Sequence, residues 1–241
     1  MSAWPKHGGS IIGERRSAGS FACDVVTSPI IGLSAAALFW SGNFIVGRAL
    51  RNAISPLSLN FWRWTIALAI LLPLTYGLLE RHRSLILRHW KLIVALGSTG
   101  IASFHTCVYL ALTTTSAVNA LLLLSLTPFL IVVISWSVLG ERVSLAQLFG
   151  IMLSFVGAIA LISRGSLSSL TALRFGTGDL WMLVAVVLWA IYSLLLKRVP
   201  KDLPQRALLC ASTVAAVLLM LPVYLLAPQN EQAFSLDRRT F

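Results

Sequence analysis

Charge is scarce in this chain, and acid is scarcest of all. Only 11% of the 241 residues are charged and eight are acidic, against about 25% charged in an ordinary soluble domain. The eight are Glu14, Asp24, Glu80, Glu141, Asp179, Asp202, Glu231 and Asp237. All fall in loops, tails or span ends, so a pair of intramembrane aspartates is excluded. Cysteine is almost as rare. Cys23, Cys107 and Cys210 are scattered and odd in number, which argues against a disulfide framework and against a metal site. Gly-x-Ser-x-Gly, HExxH and the P-loop are all missing, so no hydrolytic centre and no ATP-binding loop is expected. Residues 207–227 contain no lysine that could carry a retinal Schiff base. The sequence therefore calls for no cofactor, no metal and no enzymatic reaction.

Long apolar runs are what the chain has instead. Hydrophobic residues make up 57% of it. Seven stretches near 29–50, 57–79, 90–112, 117–139, 144–163, 178–197 and 206–227 are separated by short polar breaks. A helix needs about 20 apolar residues to cross a hydrocarbon core roughly 30 Å thick. A lipid-exposed backbone must also satisfy its own hydrogen bonds. The expected fold is all-α, a polytopic transmembrane helix bundle of seven spans. Residues 1–28 are polar and read as a disordered tail, and 228–241 as a second polar tail.

The net charge of +11 would suggest nucleic acid in a soluble protein. Here the bases lie in the connections, so topology and anionic lipid headgroups explain them and no nucleic-acid partner is expected. Lys6, Arg15, Arg16, Arg81, Arg83, Arg88, Lys91, Arg142, Lys197, Arg198, Lys201 and Arg206 fall on one side. Arg48, Arg51, Arg164, Arg174, Arg238 and Arg239 fall on the other. This asymmetry places the amino terminus in the cytoplasm, in a cell (inner or plasma) membrane.

Local signals support the boundaries. Gly140 suits the end of the fourth span, Ser144 with Gln147 a capping box opening the fifth, and Asp179 the start of the sixth. Pro128 predicts a kink within the fourth span. Displacing the chain on itself by 149 residues pairs Trp40 with Trp189, Arg48 with Lys197, and Pro73 with Pro222. A five-span unit is odd in number, so its second copy would be inverted. That copy shows two spans, and they are expected to pack less firmly than the first five.

The run YLALTTTSAVNALLLLSLTPFLIVVISWSVLGERVSLAQLFGIMLSFVGAIALISRG resembles the end of an EamA domain of the drug/metabolite transporter superfamily. Tyr109, Ser116–Asn119, Pro128, Leu139–Arg142, Gly150 and Gly157 carry the likeness, and ALFWSGNFIVGRAL with FWRW resembles the domain's opening. The resemblance implies a first EamA domain over 29–163 and part of a second over 178–227. It also implies a ten-span carrier of small metabolites, of which this chain holds seven spans, working by alternating access. A seven-span receptor or packing subunit is the alternative, and solute flux in vesicles separates the two.

Candidate substrate contacts follow from polar and aromatic residues inside the spans. Arg63 lies about 9 Å into the second span at 1.5 Å per residue, with no acid in any span interior to pair with. A charge at a span centre costs at least ~2.5–3.5 kcal/mol, so it faces a wet cavity, a partner or, by snorkelling, the surface. Asn43 and His105 sit at a similar depth. His105 is also the one intramembrane group with an ordinary pKa near neutrality. Trp40, Tyr109, Trp189 and Tyr192 suit the walls of an apolar cavity. Trp62, Trp64, Trp90 and Trp136 read as interfacial or packing residues, and Glu141 with Arg142 as a helix-end pair. Ala146, Gly150, Ser154 and Ala158 form a small-residue stripe suited to helix packing, within the bundle or at a homodimer face.

Overall fold

A computed structural model describes residues 29–141, 143–162 and 176–228. The tail 1–28 with Cys23, Arg142, and the polar tail beyond Pro228 lie outside the described residues. The chain divides into two compact units, one ending at Asn43 and one beginning at Phe44. Helix α1, Pro29–Ala49, contributes to both. In the first unit its side chains are mostly exposed, including Ile30, Leu33, Leu38 and Phe39, as an apolar helix surface is in lipid. The Ser41 hydroxyl donates to the Ala37 carbonyl within the same helix, which satisfies that donor without a partner from outside.

The second unit is a helix bundle. A 3₁₀ turn, Leu50–Asn52, leads to α2, Pro56–Arg81. Ser55 caps α2 by accepting from Ser58 N, and Pro56 opens it, where a missing N–H costs nothing. A short α3, Arg83–Arg88, follows. The third span is α4, Trp90–Leu96, then a π-helical segment Gly97–Ser103, then α5, Phe104–Thr114. The fourth is α6, Ala117–Leu124, and α7, Thr127–Leu139. Pro128 thus does more than kink the span. It stands in the first turn of α7 after a break at Ser125–Leu126, where the Ser125 and Thr127 hydroxyls donate to the Leu122 and Leu124 carbonyls. Gly140 closes α7 at φ 65°, a left-handed conformation that a side chain disfavours. The Ser144–Gln147 capping box opens α8, Leu145–Ile162, with reciprocal bonds of 3.0 and 3.2 Å. Helices α9, Thr177–Leu196, and α10, Gln205–Leu226, complete the chain's described part.

Six of these helical stretches are long and apolar enough to cross a membrane. The expected fifth span is α8, whose described apolar stretch, Leu145–Gly157, is shorter than the other six. All-α, polytopic architecture is what the structure has.

Packing reverses one expectation. Helices α9 and α10 are not loosely held: α9 lies against α5, α6 and α7, and α10 against α2, α4 and the π segment. Phe104, Val108, Leu112, Ala120, Met182 and Val186 form one buried cluster between α5, α6 and α9. A second joins Ile93 and Leu96 to Leu203, Ala207 and Leu208, and a third joins Phe61 and Ile101 to Ala216 and Met220. Small residues make this possible, because helices in lipid associate through close contact more than through the hydrophobic effect. Gly97 is the clearest case, since a Cβ there would collide with the Ser212 backbone carbonyl of α10.

Helix α8 is the peripheral one. Ala146, Gly150 and Ser154 are exposed, and nothing lies within 4 Å of a Cβ placed on Gly150. The small-residue stripe therefore packs no helix of this chain among the described residues, and the Ala158 side chain lies outside them.

Candidate functional site

The π segment is the local feature that organises the site. A π turn widens the helix and frees carbonyls from the ordinary i−4 pattern. Asn60 of α2, fully buried, reaches across to them. Its Nδ2 lies 2.9 Å from Ala102 O, 3.3 Å from Ile101 O and 2.9 Å from Thr106 Oγ1. Asn60 Oδ1 is buried with no hydrogen-bond partner among the described residues. At 3.6 residues per turn, Asn60, Arg63 and Trp64 share one face of α2, so the residue that pins the π segment also aims Arg63 inward.

Arg63 lies between two rings. Its guanidinium carbon is 4.9 Å from the Trp64 centroid and 5.7 Å from that of Tyr109. The Nε and Nη2 atoms are buried. A planar, weakly hydrated guanidinium can lie flat on a ring, which a compact, strongly hydrated ammonium cannot. Tyr109, 3% exposed, can sit there because Gly47 has no side chain, and a Cβ at that position would fall 2.8 Å from the ring.

From Trp64 the aromatic groups continue as a file. His105 is 5.4 Å from Trp64 and 4.9 Å from Phe104. Phe104 is 4.6 Å from Trp189, and Trp189 is 5.0 Å from Tyr192. These are ordinary tilted and edge contacts between rings. His105 Nδ1 lies 3.3 Å from the Ile101 carbonyl, a second use of the π segment. Tyr192 takes the space that Gly100 leaves open. It then forms part of the wall of a cavity of about 500 Å³, with Leu96, Leu208, Gln205, Lys201 and Ser212 among its other walls.

The sequence-derived candidates divide accordingly. Arg63, His105, Tyr109, Trp189 and Tyr192 come together in the second unit. Trp40, 41% exposed, and half-buried Asn43 belong to the first unit. Sequence reasoning missed Asn60 altogether and treated Trp64 as a belt or packing residue. Their i, i+3, i+4 spacing with Arg63 was the available signal. Trp62 does lie outward: it is 40% exposed and its Nε1 donates to the Tyr224 hydroxyl at 3.2 Å. Cys107 and Cys210 are buried free thiols.

Helix α9 is fastened at both ends. At its start Asp179, 3% exposed, accepts from Gly176 N at 2.8 Å and from the Thr115 hydroxyl. At its end Lys197 Nζ bonds Glu141 at 2.7 and 2.9 Å and Ser135 Oγ at 3.3 Å. Glu141 pairs with Lys197, because the left-handed turn at Gly140 brings it beside the end of α9; the expected pair with Arg142 lies outside the described residues. The bond from Lys197, then one from Ser135, holds the Glu141 carboxyl below its ordinary pKa. Arg48 is used in a similar way, donating from Nη1 to the Leu112 and Thr113 carbonyls at the end of α5. No cluster of three metal-ligating side chains occurs among the described residues.

The sequence has relatives along most of its length. "Uncharacterized transporter YyaM" of Bacillus subtilis (strain 168) is 28% identical over 165 residues, which are 68% of this chain and 54% of the relative. An "Uncharacterized transporter" of Archaeoglobus fulgidus is 27% identical over 66% of this chain and 53% of its own. The "Riboflavin transporter" of Brucella anthropi is 29% identical over 61% of this chain and 49% of its own. The chain spans about half the length of the curated relatives it matches. A family model, that of the EamA-like transporter family, matches residues 27–163. That match covers more than half of the chain: it belongs to the EamA-like transporter family.

Proposed function

We propose that the chain acts in a carrier that moves small planar organic solutes across the cell membrane by alternating access. The observation that carries this reading is the stacked guanidinium of Arg63, continued by an aromatic file to Tyr192 on a cavity wall. An ionised side chain within a span marks a polar path or site, and ligand pockets combine aromatic walls with a few directed polar groups. Arg63 supplies donors in a plane, and the rings supply flat, apolar faces for a ring-shaped solute.

The repeat reading belongs with this proposal: a five-helix first domain over 29–163 and an inverted second domain beginning near 178. Arg48 and Lys197, equivalent under the 149-residue displacement, both bond groups at the carboxyl end of a neighbouring helix. Shared use of one position supports common descent of the two segments.

The name of the Brucella anthropi relative makes riboflavin the first solute to test. Purified protein in phospholipid vesicles is expected to accumulate labelled riboflavin, or another planar heteroaromatic solute, above empty vesicles. Arg63→Lys is expected to slow the uptake roughly tenfold without loss of insertion. Correctly inserted protein that moves none of a panel of aromatic and aliphatic solutes would favour a receptor or packing role.

A further inference from the structure

We propose a second binding site, unrelated to the aromatic file: a groove between α2, α3, α4 and α10 that holds an anionic phospholipid. One acyl chain occupies the groove and the phosphate sits at its basic rim. The chain makes two close turns here. Helix α2 ends at Arg81, His82 bridges to α3, and His89 bridges α3 to α4. Short α3 is thereby laid across the ends of the two spans, where it roofs a groove of about 390 Å³.

The groove has two chemically different ends. Its deep walls are aliphatic, from Leu72 and Leu79 of α2, Ile93 and Val94 of α4, and Ala211 and Val214 of α10. Glu80 and Arg83 form its rim beside Trp90 and Tyr76, which are 55% and 61% exposed. Arg81, Arg88 and Lys91 are exposed in the same connection, so residues 80–91 carry four cations and one carboxylate. The Lys91 ammonium lies 5.8 Å from the Trp90 ring. From Glu80 to Leu72 the groove descends about 12 Å along α2 at 1.5 Å per residue.

A small water-soluble anion would satisfy the rim and leave the aliphatic walls uncovered. A neutral apolar molecule would fill the walls and leave the cations unmatched. A phospholipid with a negative headgroup matches both, and basic pockets between spans near the interface recognise such headgroups.

The test is lipid retention by native mass spectrometry, on protein released from vesicles of equal phosphatidylglycerol and phosphatidylcholine. Wild-type protein is expected to retain phosphatidylglycerol preferentially. In Arg83→Gln/Arg88→Gln the preference should fall about fivefold per base removed. Arg198→Gln/Lys201→Gln, a pair outside the groove, should retain the wild-type preference. Equal loss in both pairs would mean only diffuse attraction to surface charge and would overturn the site. So would undiminished retention in the groove variant. Glycerol phosphate should not displace the lipid at matched concentration; if it does, the rim binds phosphate alone and the acyl-chain assignment fails.

Discussion

Arg63 can keep its charge in a span because its neighbours fit a flat cation. The rings of Trp64 and Tyr109 flank the guanidinium, and α2 places Asn60 one turn away to hold the π segment behind them. Lysine would retain the charge and lose the plane and its forked donors. A cation–π contact of this kind is worth about 0.5–2 kcal/mol, so Arg63→Lys is expected to slow transport roughly tenfold with insertion unchanged. Arg63→Leu should insert at least as well as wild type, since it removes a desolvation cost, and should transport no better than the lysine variant. Parent-rate flux from both inserted variants would place the solute elsewhere.

Glu141 gives a residue-scale prediction in pH. Its carboxyl is held below its ordinary range by Lys197, so the folded state prefers the ionised form more than the unfolded state does. That contribution is complete above the ordinary carboxylate pKa, about 4.3, and is lost as pH falls through the lowered value. The melting temperature of wild type should exceed that of Glu141→Gln at pH 7, and the gap should close below about pH 4. A gap independent of pH would mean that the variant disturbs the turn at Gly140 rather than the ion pair.

At the scale of elements, a helix in lipid is placed by how closely its backbone approaches the next. Gly97 lies against Ser212 and Ala216 of α10, and the obstacle is backbone carbonyl, which cannot swing aside. Gly97→Ala should cost about 1–3 kcal/mol as an overpacked contact, read as a lower melting temperature in detergent. Gly150→Ala on α8, with open space around it, should be neutral or slightly stabilising. The legibility of elements in the sequence follows the same division between near and far. The left-handed Gly140 and the Ser144–Gln147 box depend on neighbours within four residues and were readable, while Pro128 announced a kink where the span in fact breaks at Ser125–Leu126. The Thr115–Asp179 and Glu141–Lys197 pairs join residues more than fifty apart, so no local pattern announces them. The π segment escaped as well, because a run such as GSTGIAS is compatible with an ordinary helix. Its contacts are tertiary: Asn60 on the Ile101 and Ala102 carbonyls, and Gly97 against α10. Of the site, residue types were visible while their grouping was not: Arg63, His105 and Tyr109 could be named singly, whereas Trp64 and Asn60 matter through what they touch.

At the scale of the molecule, protection from exchange should follow burial rather than order in the repeat. Both α9 and α10 contribute to buried clusters, and α9 is tied at each end. Hydrogen exchange in a membrane mimetic is expected to be slower in α9 and α10 than in peripheral α8. Faster exchange in 178–226 than in α8 would restore the reading of the last two helices as loosely attached. The same arrangement bears on orientation. Lys197, Arg198, Lys201 and Arg206 cluster around the α9–α10 turn, and Arg81, Arg83, Arg88 and Lys91 around α3. The connections near Thr115 and Gly176 sit at the opposite ends of these spans. We propose that the basic end faces the cytoplasm, because positively charged connections are retained there. With Cys23, Cys107 and Cys210 all replaced, a single introduced cysteine can be read against a cysteine-free background. With a membrane-impermeant maleimide on intact cells, Thr177→Cys should label and Lys201→Cys should label only after permeabilisation. The reverse pattern would invert the protein and place its basic groove, with the lipid it is proposed to hold, in the opposite leaflet.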